Sequence, residues 1–172
     1  MKRFVKFGVL MLVMLLLCSC GKKDTAKVAD TNGDGVLSCT LEVRCDTLLG
    51  NLDRLSKEKA ALVPENGTLL PCTEVEFAGG STVFDVFRQV LRQEKIHFEY
   101  VDASAYDSVY IEGIGNLYEF DCGPQSGWMY SVNEVYPGLG CSAYTLADGD
   151  VIVFSYTCDL GADLGAEKVY EE

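Results

Sequence analysis

Little in this chain of 172 residues is basic, and almost none of it is imidazole or indole: 14 Lys and Arg face 26 Asp and Glu, with one histidine, His97, and one tryptophan, Trp128. Scarce positive charge excludes a nucleic-acid or polyanion partner, which needs clustered Lys and Arg. A lone histidine in no ligand spacing, with no CxxC pair anywhere, excludes the usual zinc sites. No Gly-rich phosphate loop follows an expected strand, and His97 shares no motif with a nucleophile. Asp148 and Asp150 could be drawn as an acid–base pair, but Asp-Gly-Asp before an apolar run is explained by turn chemistry. The expectation is a protein that is not an enzyme and carries no cofactor. Long apolar runs are also missing, with one exception at the start of the chain.

That exception is Phe7 to Leu17, apolar apart from Gly8 and preceded by the basic start Met1-Lys-Arg-Phe-Val-Lys6. It is too short for a helix spanning a bilayer, which needs about 20 residues. A basic start, a short apolar stretch and a small residue before a cysteine form a secretory leader. Leu17-Cys18-Ser19-Cys20 resembles the lipobox of bacterial lipoproteins, with Leu17 three positions before Cys20 and Ser19 immediately before it. Cys18 fits less well, because Leu17 would then occupy the cleavage position. The resemblance implies loss of residues 1–19, acylation of Cys20 and a lipid-anchored extracytoplasmic location at the cell membrane. The alternative is an ordinary secretory leader with Cys20 an unmodified thiol. Loss of Lys2, Arg3 and Lys6 takes the formal net charge from −12 to −15.

Of the eight cysteines, Cys39, Cys45, Cys72, Cys122, Cys141 and Cys158 then remain, an even number in an oxidising compartment. Three disulfides are expected, leaving no free catalytic thiol. Six cysteines allow 15 connectivities, so spacing alone does not assign the pairs.

Residues 20–38 read as the lipidated cysteine and a polar linker. Asp30-Thr-Asn-Gly-Asp-Gly35 copies the first half of an EF-hand-like calcium loop, but Leu41 stands where the bidentate acid belongs, so the segment reads as linker and no metal site is expected. Residues 39–165 form one domain of about 125 residues, enough for a single core. Residues 166–172 are an acidic, loose tail.

Cys39 to Cys45 alternates as a half-buried strand should, Asn51 to Ala61 is helix-compatible, and Thr73 to Phe77 alternates again. Thr82 and Asp85 set a helix start, and Val83, Val86, Phe87, Val90 and Leu91 make one apolar stripe beyond it. His97–Val101, Ser108–Glu112, Leu117–Phe120 and Trp128–Val132 read as strands, and the apolar run Val151–Tyr156 as a central one. This order predicts an α+β fold, a β-grasp-like mixed sheet packed on one main helix and stapled by disulfides. Its first and last strands lie parallel at the centre. Cys45 and Cys158 then reach the same end and are candidates for bonding, Cys122 and Cys141 flank the aromatic segment, and Cys39 with Cys72 is the remainder.

Tyr110-Ile-Glu-Gly-Ile-Gly-Asn-Leu-Tyr-Glu-Phe-Asp-Cys122, Ser126-Gly-Trp-Met-Tyr-Ser-Val-Asn133, Gly140-Cys-Ser-Ala-Tyr144 and Asp148-Gly-Asp150 carry a family resemblance. Together they resemble the transcobalamin-like C-terminal domain family of small, mostly Gram-positive surface lipoproteins. That family is similar to the cap domain of vitamin B12 carriers and to soluble-ligand-binding β-grasp domains. The resemblance implies capture of a soluble ligand, with a corrinoid as the named candidate. The helical barrel that completes the vertebrate carriers is missing from these residues.

Alternation places Trp128 and Tyr130 on one strand face and Met129 on the other. Two rings with polar handles make a flat recognition platform, which Ser126, Asn133 and Tyr136 could supplement by hydrogen bonds. The other reading puts Trp128 and Tyr130 in the core, and Tyr118 and Phe120 carry the same ambiguity. Glu112, Glu119 and Asp121 read as outward residues. Two functions follow as alternatives: a membrane-tethered receptor for a small ligand, or a surface module that docks or adheres to another protein through an aromatic patch or strand edge.

Overall fold

A computed structural model describes residues 36–103 and 108–166. The leader, Cys20, the half-loop Asp30–Gly35 and the tail 167–172 lie outside the described residues. The fold is α+β and sheet-dominated. Among the described residues seven strands run in chain order: β1 (Val36–Arg44), β2 (Thr68–Ala78), β3 (Phe98–Ala103), β4 (Ser108–Ile114), β5 (Leu117–Tyr118), β6 (Gly127–Val132) and β7 (Val151–Thr157). They form a four-stranded sheet ordered β2-β1-β7-β6 and a three-stranded sheet ordered β3-β4-β5.

The first and last strands are neighbours and parallel, with Leu41 opposite Ile152 and Val43 opposite Phe154, as the element order predicts. Alternation decides which face is buried. Cys39, Leu41 and Val43 of β1 and Ile152, Phe154 and Tyr156 of β7 point into the core, while Glu42, Arg44 and Val153 point outward.

One long helix, α2 (Val83–Gln93), closes that core. A capping box starts it: Thr82 Oγ1 accepts from the Asp85 N–H at 3.2 Å, and Asp85 Oδ2 accepts from the Thr82 N–H at 3.0 Å. The stripe Val83, Val86, Phe87, Val90 and Leu91 is buried, joined by Phe84. Each such side chain is worth about 2 kcal/mol of hydrophobic transfer. Phe87 is the hinge pin of the interior, its ring 4.5 Å from Phe154 and 5.2 Å from Phe98.

Several elements differ from expectation. Asn51 to Ala61 is a 3-10 turn at Leu52–Arg54 followed by α1, a single turn at Lys57–Ala60. The break falls where Ser56 caps the new turn by accepting from the Lys59 N–H. β1 begins at Val36, inside the expected linker. β2 extends over Pro71, which an edge strand tolerates because no neighbour requires its N–H. β5 is only two residues long, because Phe120 adopts φ 65° and leaves the strand. The Asp148-Gly-Asp150 segment is a turn: Asp148 Oδ1 accepts from the Ser38 N–H and Asp150 Oδ2 from the Ala147 N–H.

The cysteines differ most. Cys39 is buried on the core face of β1, whereas Cys72 is exposed on the outer face of β2, so this sheet separates the pair. Cys45 and Cys158 do reach one end of the domain, but Cys158 Sγ lies 3.3 Å from Cys122 Sγ. Cys141 stands elsewhere, its sulfur 3.9 Å from the Val109 carbonyl oxygen. No two sulfurs of the described residues are at bonding distance, and the expected pairings Cys45–Cys158 and Cys122–Cys141 are not the arrangement the fold builds.

Candidate functional site

The five residues singled out from sequence do not share a surface. Trp128 is 7% exposed, its Nε1 donates to the Leu117 carbonyl at 2.8 Å, and its ring meets Tyr156 edge-on at 5.2 Å. The platform reading of Trp128 therefore gives way to the core reading. Tyr130 shares its face, as alternation predicts, stacking on Phe154 at 5.7 Å and donating its hydroxyl to the Leu139 carbonyl. Ser126 is buried, accepting from the Cys122 N–H and donating to the Gly123 carbonyl.

Asn133 occupies a two-residue turn at φ 53°, where its amide donates to Asp150 and its oxygen accepts from the Val151 N–H. Tyr136 lies on the opposite, outer face of the large sheet, beside Ser155 and Arg44. Burial and Asp163 raise its phenol pKa. Four of the five thus hold the fold together, and Tyr136 stands apart from them.

The structure gathers aromatic and acidic groups elsewhere, on the outer face of the small sheet. Its geometry begins with the turn Gly115-Asn116, φ 60° and 62°, a two-residue hairpin with both centres left-handed that brings Ile114 opposite Leu117 and Gly113 opposite Tyr118. A bulge in β4 opposite Glu99 turns both Glu112 and Gly113 outward. Gly113 is required there: a Cβ would fall 2.6 Å from Tyr118 Cδ1, because the Tyr118 ring lies over the bare backbone.

Tyr118 is fixed at four points. Its hydroxyl donates to Glu99 Oε1 at 2.8 Å, its N–H to Asp121 Oδ2 at 2.7 Å, and its carbonyl accepts from the Tyr156 hydroxyl at 2.7 Å. The Lys59 ammonium sits 4.4 Å from the ring centroid and 2.8 Å from Asp121 Oδ2. Tyr110, 41% exposed beside Val101, donates its hydroxyl to Glu119 Oε2. His97 Nε2 stands 3.6 Å from Glu99 Oε1. Phe120 follows Glu119 and is 60% exposed.

Both phenols are held in the protonated, donating form. Burial, then the bond to Glu119, raises the pKa of Tyr110, and the bond to Glu99 raises that of Tyr118. Glu99 and Glu119 each keep an oxygen that neither phenol uses, and the charge of Glu112 acts on both phenols. The face is thus rich in acceptors beside the open ring of Tyr110, which suits a neutral or cationic ligand carrying N–H or O–H donors and an apolar surface. Among the described residues no group of three or more His, Cys, Asp or Glu is arranged to hold a metal ion. An open groove between Val36–Ser38 and Glu74 and Glu76 offers little besides two carboxylates.

Sequence reasoning left Tyr110 and Glu99 out of the candidate set. The signal it could have used is Gly113 five residues before Tyr118 across a Gly-Asn turn, a hairpin spacing that pairs a bare backbone with a ring. The bulge that turns Glu112 outward has no such signature.

A family model described as a domain of unknown function (DUF4430) matches residues 80–158. No curated protein sequence matches the chain. Among solved structures, haptocorrin in complex with cobinamide is similar over 73% of this chain, at 17% identity and a TM-score of 0.54. The chain spans 26% of haptocorrin's length. A protein from Ruminococcus gnavus, provisionally described as metal binding, covers 70% of this chain and 96% of its own at 13% identity and a TM-score of 0.40. The likeness to haptocorrin supports a transcobalamin-like fold.

Proposed function

We propose that this protein is an extracytoplasmic lipoprotein, anchored through an acylated Cys20, whose β-grasp-like domain binds a soluble ligand of the corrinoid class on the outer face of its small sheet. The observation that carries the reading is the likeness to haptocorrin, which spans most of the described domain and belongs to a structure holding cobinamide. The chemistry of the face agrees with it. A corrin ring presents a broad apolar surface rimmed with carboxamide N–H donors, and the face offers an open tyrosine ring among carboxylate acceptors.

Calorimetric titration of the protein with cobinamide and cobalamin tests this, with a neutral oligosaccharide as control. Saturable binding to the corrinoids alone is expected. A folded protein that gives no heat with either corrinoid, or that binds the oligosaccharide instead, overturns the ligand class. Incorporation of an alkyne-tagged palmitate in cells, lost in Cys20→Ala, tests the anchor separately.

A second reading is docking to a surface protein partner. Phe120 and Leu160, each 60% exposed and each in a left-handed backbone conformation, favour it. Exposed apolar side chains held at strained loop positions are costly in a solvated surface. Loss of a protein partner in Phe120→Ser with unchanged corrinoid binding would support this reading.

A further inference from the structure

We propose that Cys122 and Cys158 are joined as a disulfide, and that this bond fixes the Leu117–Ser126 segment, with Tyr118 and Glu119 of the candidate face, to the end of β7. Both residues are buried, and their sulfurs, 3.3 Å apart, make the sulfur–sulfur hydrogen-bond contact found among the described residues. The backbone on each side is already held. The Cys122 N–H donates to Ser126 Oγ at 3.1 Å, and the Tyr156 hydroxyl lies 3.1 Å from that same oxygen. The Cys158 N–H donates to Asp163 Oδ2 at 2.7 Å. Side-chain rotation is then the movement left to bring the sulfurs to bonding distance, about 2.05 Å.

Three ligands are needed for a metal and none is arranged there. A nucleophilic thiol needs a cationic neighbour, whereas the charged group beside Cys158 is Asp163. Burial, and then contact with Cys122, pushes the Cys158 thiol up to about 12. Both residues are buried in the closed fold, so exchange with an oxidant takes place while the Leu117–Ser126 segment is still open, and closure afterwards shields the bond from reductants.

The step balances by thiol–disulfide exchange. One cysteine thiolate attacks the disulfide of an oxidant of the thiol–disulfide class, giving a mixed disulfide and releasing one oxidant thiolate. The second cysteine thiolate attacks the bonded protein sulfur and displaces the other. One S–S bond has formed in the protein and one has broken in the oxidant, which leaves as a dithiol with the two electrons and two protons. The meeting with such an oxidant rests on the extracytoplasmic reading, whereas the pairing itself rests on the geometry.

Two preparations of the full chain separate those claims: protein recovered from the cell envelope, and protein refolded in a mixture of oxidised and reduced glutathione. Each is alkylated in denaturant without reduction, digested and analysed by mass spectrometry. The expected product in both is a peptide pair containing Cys122 and Cys158, two hydrogens lighter than the separate thiol peptides. Alkylation of both cysteines after refolding, or linkage of either to another cysteine, overturns the pairing. The linked pair after refolding beside alkylated thiols from cells supports the pairing and counts against the location.

The stapling role is read by amide hydrogen exchange on a Cys122→Ser, Cys158→Ser protein. Faster exchange confined to residues 117–126 and the end of β7 is expected. Exchange unchanged from the oxidised parent would overturn that role.

Discussion

Replacing Trp128 by Phe separates the interior role found for this ring from a role in recognition. The indole N–H donates to the carbonyl of Leu117, a residue with no exposed surface, so its loss leaves a buried acceptor unpaired. That costs about 1–3 kcal/mol. The smaller ring leaves about 40 Å³ unfilled against Tyr156, worth about 1 kcal/mol at about 24 cal/mol per Å³. Together these give about 2–4 kcal/mol. With a urea slope of about 2 kcal/mol/M, the unfolding midpoint falls by about 1–2 M at unchanged slope. Where the variant remains folded, its affinity for cobinamide stays within about twofold, well under the tenfold that 1.4 kcal/mol represents. An unchanged midpoint with abolished binding would refute the argument, because it would make Trp128 an exposed ligand contact.

Thr82→Ala removes the cap of α2 and lowers stability by about 1 kcal/mol, measured by denaturant unfolding. The bonds from Thr82 hold the Asp85 carboxyl below its ordinary value of 3.8. Its contribution is therefore present above that value and is lost as the pH falls through the lower folded value, a loss that shrinks in the variant. At the alkaline end, burial pushes the Tyr156 phenol from 10.0 up to about 12. The unfolded chain then releases this proton before the native state does, so stability holds below pH 10 as far as this group is concerned and falls between about 10 and 12. Urea midpoints taken across that window, alongside tyrosinate absorbance, check this, and burial of Tyr130 acts in the same direction. Gly113→Ala pushes the Tyr118 ring off the backbone, and overpacking of about 1–3 kcal/mol is expected by thermal unfolding, with weaker corrinoid binding.

Periodicity made the scaffold legible. The stripe of α2, the alternation of β1 and the apolar run of β7 each have one burial solution, and the central parallel pairing follows from their order. Where the chain breaks period it was less readable. Ser56 splits an apparent helix, and Phe120 ends β5 by turning left-handed.

The site was less legible than the scaffold for a related reason. Alternation puts Trp128 and Tyr130 on one face but is silent on whether that face meets α2 or solvent. Tyr118 is poised by Gly113 across the hairpin and by Glu99 from the neighbouring strand, partners that register, not composition, supplies. Cysteine pairing failed in the same way. Cys122 meets Cys158 because the β5–β6 loop folds over the end of β7, a contact that spacing does not encode.

The most direct measurement is one titration, cobinamide into the wild-type protein and into Tyr110→Ala. Tyr110 is the open ring of the candidate face, and its removal leaves the Trp128–Tyr156 interior untouched. Saturable binding by the wild type is expected, with at least about tenfold weaker binding by the variant, a loss of about 1.4 kcal/mol, in a protein still folded by circular dichroism. Equal affinity in the two proteins, or no binding by a folded wild type, would contradict a corrinoid site on this face.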